Sequence, residues 1–119
     1  MTRFEKTLCL VYAGIALIAL AATWINNLAF FNQPQNGGAF GFYQAIYANP
    51  AVASFTNDLL LYALAGCIFM AVEARRLGIR YVWVYILLSF LIAVSVMFPV
   101  FLITRQFEIS RQRTRTSLQ

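Results

Sequence analysis

Asp58 is the residue in this sequence with the most chemistry to offer, a carboxyl near the start of the apolar run at residues 55–72. An ionised aspartate at the centre of a bilayer costs about 2.5 to 3.5 kcal/mol, and less towards the interface. A carboxyl in such a run must therefore be hydrated, paired or held protonated by desolvation. Two roles fit it. Asn49 and Pro50 are a helix-start signal, and an acid in the first turns of that helix lies near the positive end of its dipole. Facing a bundle interior instead, Asp58 would handle a proton beside an apolar ligand.

The spacing suggests companions for it. If residues 55–72 and 81–104 form an antiparallel hairpin about the turn Glu73-Ala-Arg-Arg-Leu-Gly-Ile-Arg80, Asp58 lies about 22 Å from the turn at helical rise and level with Ser95 and Pro99. The end of the first apolar run brings Asn26 and Asn27 to the same mouth, beside Asn57. Asn26, Asn27, Asn57, Asp58, Ser95 and Pro99 are thus the candidate ligand-binding residues, and Asp58 is the catalytic candidate. Arg75, Arg76, Arg80 and Arg105 are candidates for contact with lipid headgroups.

Other chemistries are poorly supplied. Histidine is absent, which removes the commonest general base, metal ligand and haem ligand. Cys9 and Cys67 do not have the spacing of a redox pair or a metal site, and read as small apolar packing residues. No metal site and no cofactor is evident, although aromatic-rich spans suit a carotenoid or other isoprenoid. No catalytic motif is recognisable, and Glu73, about 22 Å from Asp58, is too far for a concerted acid–base pair. Between residues 59 and 72 only Tyr62 adds a polar group, so ion or proton conduction is the least supported reading.

The elements that must position these residues are membrane spans. With 61% apolar and 11% charged residues in 119 and a mean hydropathy of +0.71, the chain is too apolar for a soluble domain and long enough for one bundle. The expected fold is all-α: an integral membrane three-helix bundle spanning at 7–31, 50–74 and 81–105, with a short interfacial helix between helices 1 and 2 in the aromatic stretch 40–47. Residues 1–105 form the transmembrane domain, and 106–119 a basic mobile tail. The leader with Arg3 and Lys6, the apolar run and the small residues Ala19, Ala21 and Ala22 imitate a signal peptide. The run continues to Phe31, so an uncleaved span is preferred. Pro99 predicts a bend between Ser95 and Pro99, because it cannot donate to the Ser95 carbonyl.

Three spans put the leader and the Arg-rich turn on one side and the uncharged first loop and the tail on the other. The balance favours an amino-terminus in the cytoplasm.

Asp58, the Glu73-x-Arg-Arg76 turn, an aromatic-led third helix, Ser95 and Pro99-x-Phe-Leu102 followed by Arg105 resemble a family of small three-helix membrane proteins from bacteria and cyanobacteria, catalogued as a domain of unknown function. They are distantly similar to the plant and algal membrane proteins required for neoxanthin synthesis. The resemblance covers residues 49–105 and implies a fold more than an activity, with a bacterial inner or a cyanobacterial membrane as the expected location. Two functions of different class follow. One is a structural or accessory subunit that packs, with membrane lipids, against a larger membrane protein complex, one that could bear pigment or lipid, or against its own copies as a homo-oligomer. The other is an isoprenoid- or carotenoid-binding protein, or an isomerase-like enzyme, using the Asp58 carboxyl. The basic residues flank apolar segments and do not form a nucleic-acid surface.

Overall fold

The computed structural model describes residues 2–35 and 37–118; Met1, Asn36 and Gln119, which belong to the expected leader, loop and tail, lie outside them. Among the described residues five helices follow one another: α1 (Arg3–Phe31), α2 (Gly38–Ala45), α3 (Pro50–Leu77), α4 (Val82–Leu91) and α5 (Val94–Leu118). Among the described residues there is no strand.

Local sequence explains most of the boundaries. Thr2 and Glu5 close a reciprocal capping box at the start of α1, which satisfies two amides that the helix cannot pair internally. Asn49 accepts from the Val52 amide, with Pro50 in the first helical position of α3. At the other end of α3, Gly78 takes φ +72°, and the amides of Gly78 and Ile79 both return to the Ala74 carbonyl. A left-handed backbone there favours glycine.

Two helices, α1 and α3, are long and apolar enough to cross a membrane. Neither is mostly buried within the fold. Leu10, Leu17, Ile18 and Ile25 on α1 and Leu61, Leu64 and Ile68 on α3 are exposed along their length.

The expected third span, 81–105, is not one helix. It breaks at Ile92 and Ala93, and the chain reverses there. The Tyr85 hydroxyl lies 2.9 Å from that of Thr104, and the Tyr85 and Phe101 rings meet edge to face at 5.5 Å. Residues 85 and 104 would stand about 28 Å apart on a straight helix. So α4 and α5 form an antiparallel hairpin.

The bend is therefore N-terminal to the expected interval between Ser95 and Pro99, and Pro99 is buried within α5. Around the break, Ile92, Val94 and Val96 are β-branched and weak helix formers. The carbonyl of Ala93 takes the amides of both Val96 and Met97. This leaves the Ile92 carbonyl without its usual helical donor, and the indole Nε1 of Trp24 on α1 supplies one at 3.0 Å.

The register follows from three sets of contacts. α1 runs antiparallel to α5: Glu5 meets Arg113, Ala16 packs with Val96 and Met97, and Trp24 meets Ile92. α3 runs parallel to α5, because Phe98 contacts the Tyr62 and Phe69 rings, Glu73 meets Arg105 and Gln112 donates to the Leu77 carbonyl. α1 and α3 barely touch each other; α1 packs on α5, and α3 on both α4 and α5. The core is built from small or flexible residues on α3, Cys67, Met70 and Ala74, closed by Phe101 of α5.

Residues 106–118, expected as a mobile tail, continue α5 as helix. The whole is a rod 62 Å long and about 24 Å across.

Candidate functional site

Parallel packing of α3 and α5 separates the residues that an antiparallel hairpin would have brought together. Phe98 lies over Gly66, so Ser95 falls level with about Ala63 and Pro99 with about Cys67. Asp58 is five and nine residues from those levels, about 8 and 14 Å along the axis. Asp58 is exposed, as is Ser95, whereas Pro99 is buried.

Asp58 does keep level with Asn26 and Asn27. Those two residues lie just beyond Trp24, and the reversal that Trp24 caps corresponds to about residue 60 of α3. Asn26 donates to the Ala22 carbonyl of its own helix, and the Asn57 amide oxygen accepts from the Tyr47 hydroxyl at 2.9 Å. Thr56 donates to the Ile46 carbonyl, so the segment after α2 is tied to the start of α3. Phe42 of α2 contacts Phe30 and Phe31. The short aromatic helix thereby spans the ends of α1 and α3.

At the opposite end lies a charged cluster. Glu73, 8% exposed, accepts from the Nε of Arg105 at 2.6 Å and from Arg76 at 3.0 Å. Arg105 also stacks over the Phe69 ring, 5.8 Å from its centre. A carboxylate with two guanidinium partners and little water is a structural clamp between α3 and α5, with its lone pairs committed.

A second clamp lies further out. Glu5 takes both terminal nitrogens of Arg113, at 2.8 and 2.9 Å. Glu5 precedes the apolar run of α1, and the Arg113 hydrogen bonds, helped by the Thr2 amide, hold its carboxyl down at about 2. Arg75 and Arg76 occupy the last turn of α3 and Arg80 the turn after it.

The fold gathers all nine Lys and Arg residues at this end. From residue 7 to residue 72 the one charge is Asp58.

Sequence reasoning missed Trp24 as a hydrogen-bond donor, and missed Glu73 and Glu5 as clamps across helices. The i, i+3 pair of Glu73 with Arg76 was legible from spacing. The partners on α5 were not, because their register depends on the reversal at residue 92.

Residues 11–107 match a known family, described as "Protein of unknown function DUF2834". This covers most of the chain, and the protein belongs to that family. No curated protein and no solved structure matches it, and the comparisons give no support to the expected likeness to the neoxanthin-synthesis proteins. The match includes Trp24, Asp58, Glu73 and Arg105. Glu5 and Arg113 fall outside it.

Proposed function

We propose that the protein is an integral membrane protein with two spans, α1 and α3, and a hairpin, α4 and α5, that enters from one face and returns to it. On this reading the end carrying all nine basic residues faces the cytoplasm, with both termini there. The function that fits best is that of a structural or accessory subunit, presenting the outer faces of α1 and α3 to a larger membrane assembly or to a second copy. One observation carries this reading. The charged residues in the helices' contact faces are spent on holding the chain together, Glu73 with Arg105 and Arg76, and Glu5 with Arg113, while large apolar side chains on α1 and α3 point outward.

Purification in a mild detergent, with the mass of the intact particle measured, tests it. A stoichiometric second subunit or second copy supports the subunit reading. A monomer under every mild condition, with no co-purifying protein, contradicts it.

A second reading is favoured by a different observation. Because the hairpin turns back level with Trp24 and because α1 and α3 barely touch, the last stretch of α1, residues 25–31, about 10 Å of helix, has neither α4 nor α5 between it and α3. A lipid or isoprenoid chain would fit there, with Asp58, Asn27 and Tyr62 near it. Extraction of the purified protein should then yield one apolar ligand per chain. An Asp58→Asn variant that keeps both its abundance and all of its ligand would remove the carboxyl from that role.

A further inference from the structure

Beyond the Glu73 clamp, α5 and the start of α1 enclose a groove of about 540 Å³ whose chemistry the clamps do not use. Lys6 contributes from α1, and Arg111, Thr114 and Arg115 from α5. Phe107 and Leu118, both exposed, give it apolar wall. The cations are unequal. Arg111 is engaged by Glu108 at 3.1 Å, and Glu108 also accepts from Gln112. Among the described residues Lys6 and Arg115 have no carboxylate partner.

Glu108 also lines the groove but is paired with Arg111, and the Thr114 hydroxyl is given to the Ser110 carbonyl, so the two free cations, on different helices, are what make a receptor for a phosphate group. Its position adds a second requirement. Lys6 immediately precedes the apolar run of α1, and Thr104, which also lines the groove, closes the apolar stretch of α5. The groove therefore begins where apolar surface gives way to charge, the level of phospholipid headgroups if α1 spans a membrane. Phe107 stands beside that boundary, where the first carbons of an acyl chain would follow the phosphate.

We infer that this groove binds the phosphate headgroup of one anionic phospholipid, with Lys6 and Arg115 as its principal ligands. The inference rests on the membrane reading proposed above. Its cations lie outside residues 11–107, so it is a property of this chain's flanks and not of the family match.

The test uses the full chain in mild detergent, with retained lipid counted by intact mass after equilibration with phosphatidylglycerol or phosphatidylcholine, and with inorganic phosphate as competitor. Wild-type protein should retain one phosphatidylglycerol in preference to phosphatidylcholine, and phosphate should displace it poorly. Lys6→Gln and Arg115→Gln should each weaken that retention by about fivefold. Arg3→Gln removes the same charge at the same end, outside the groove, and should leave retention unchanged.

Equal loss in Arg3→Gln would show diffuse attraction and overturn the site. Displacement by millimolar phosphate would make it a free-anion site, which overturns the lipid assignment. Equal retention of the two lipids by a protein that does need detergent sinks the groove alone. A chain that stays soluble without detergent sinks the membrane reading instead. Neither Lys6 nor Arg115 makes a fold contact of the kind that holds Glu5 or Glu73, and unchanged helical content by circular dichroism confirms that each variant is folded.

Discussion

Besides the apolar core, three side chains, Trp24, Glu73 and Glu5, tie one helix to another through hydrogen bonds and ion pairs. The Trp24 indole serves the Ile92 carbonyl from 68 positions away. Trp24→Phe keeps the ring and removes the donor, so it should cost about 1 to 3 kcal/mol, the usual penalty for leaving a buried polar group unpaired. Thermal unfolding in detergent reads this directly, and an unchanged midpoint would show that the carbonyl finds water.

The Glu73 cluster offers an internal comparison. Arg76 is largely exposed and Arg105 is not. Arg76→Gln should therefore change stability by about 1 kcal/mol at most, whereas Arg105→Gln should cost about 1.5 to 3 kcal/mol because a charge-assisted bond in a sheltered place is lost. Equal effects would contradict the clamp.

The Glu5 carboxyl is held at about 2 against an ordinary 4.5. A depressed value means that the folded state favours the ionised form, so its contribution is full above pH 4.5 and drains away as the pH falls towards about 2. The protection of the amides at the end of α5, taken relative to the intrinsic exchange rate at each pH, should hold at pH 4.5 and fall below it. At this scale the sequence showed the Glu73–Arg76 spacing and the isolation of Asp58. It could not show Trp24 as a donor, because an indole at the end of an apolar run reads as an interfacial aromatic.

The five helices have boundaries of two kinds. Those of α1 and α3 are written locally, in the Thr2 and Glu5 cap, in Asn49 and Pro50, and in Gly78. They were legible. The break between α4 and α5 is not marked by glycine or proline at residues 92 and 93. Residues 81–104 form one unbroken apolar segment, and an apolar segment of that length reads as a span. What divides it is a β-branched stretch together with a hydrogen bond from another helix. Pro99 does disfavour a continuous helix, but it lies within α5, past the break.

The hairpin predicts a cross-link. In a background with Cys9 and Cys67 replaced by alanine, Tyr85→Cys with Thr104→Cys should be joined by a short bifunctional thiol reagent. The same reagent should fail on Phe55→Cys with Thr104→Cys, whose positions lie near opposite ends of the parallel pair α3 and α5. Failure at 85 and 104 would restore a straight third span.

At the scale of the whole molecule, the reversal changes what the charges mean. Read as three spans, the sequence divides its basic residues almost evenly between the two sides and barely sets an orientation. With the hairpin, the leader, the Arg-rich turn and the end of α5 share one side and carry all nine, and the loop between α1 and α3 carries none. If α1 and α3 span a membrane as proposed above, that asymmetry is what sets the orientation, and it emerges only when fold and composition are read together. Single-cysteine labelling in intact cells and in inverted vesicles, again without Cys9 and Cys67, tests the reversal most directly. Cysteines at Thr2, Gly78 and Ser117 should all react from the cytoplasmic face, and one at Gln35 should react from the other. Labelling of Ser117→Cys from the same side as Gln35→Cys would contradict the hairpin and return the chain to three spans.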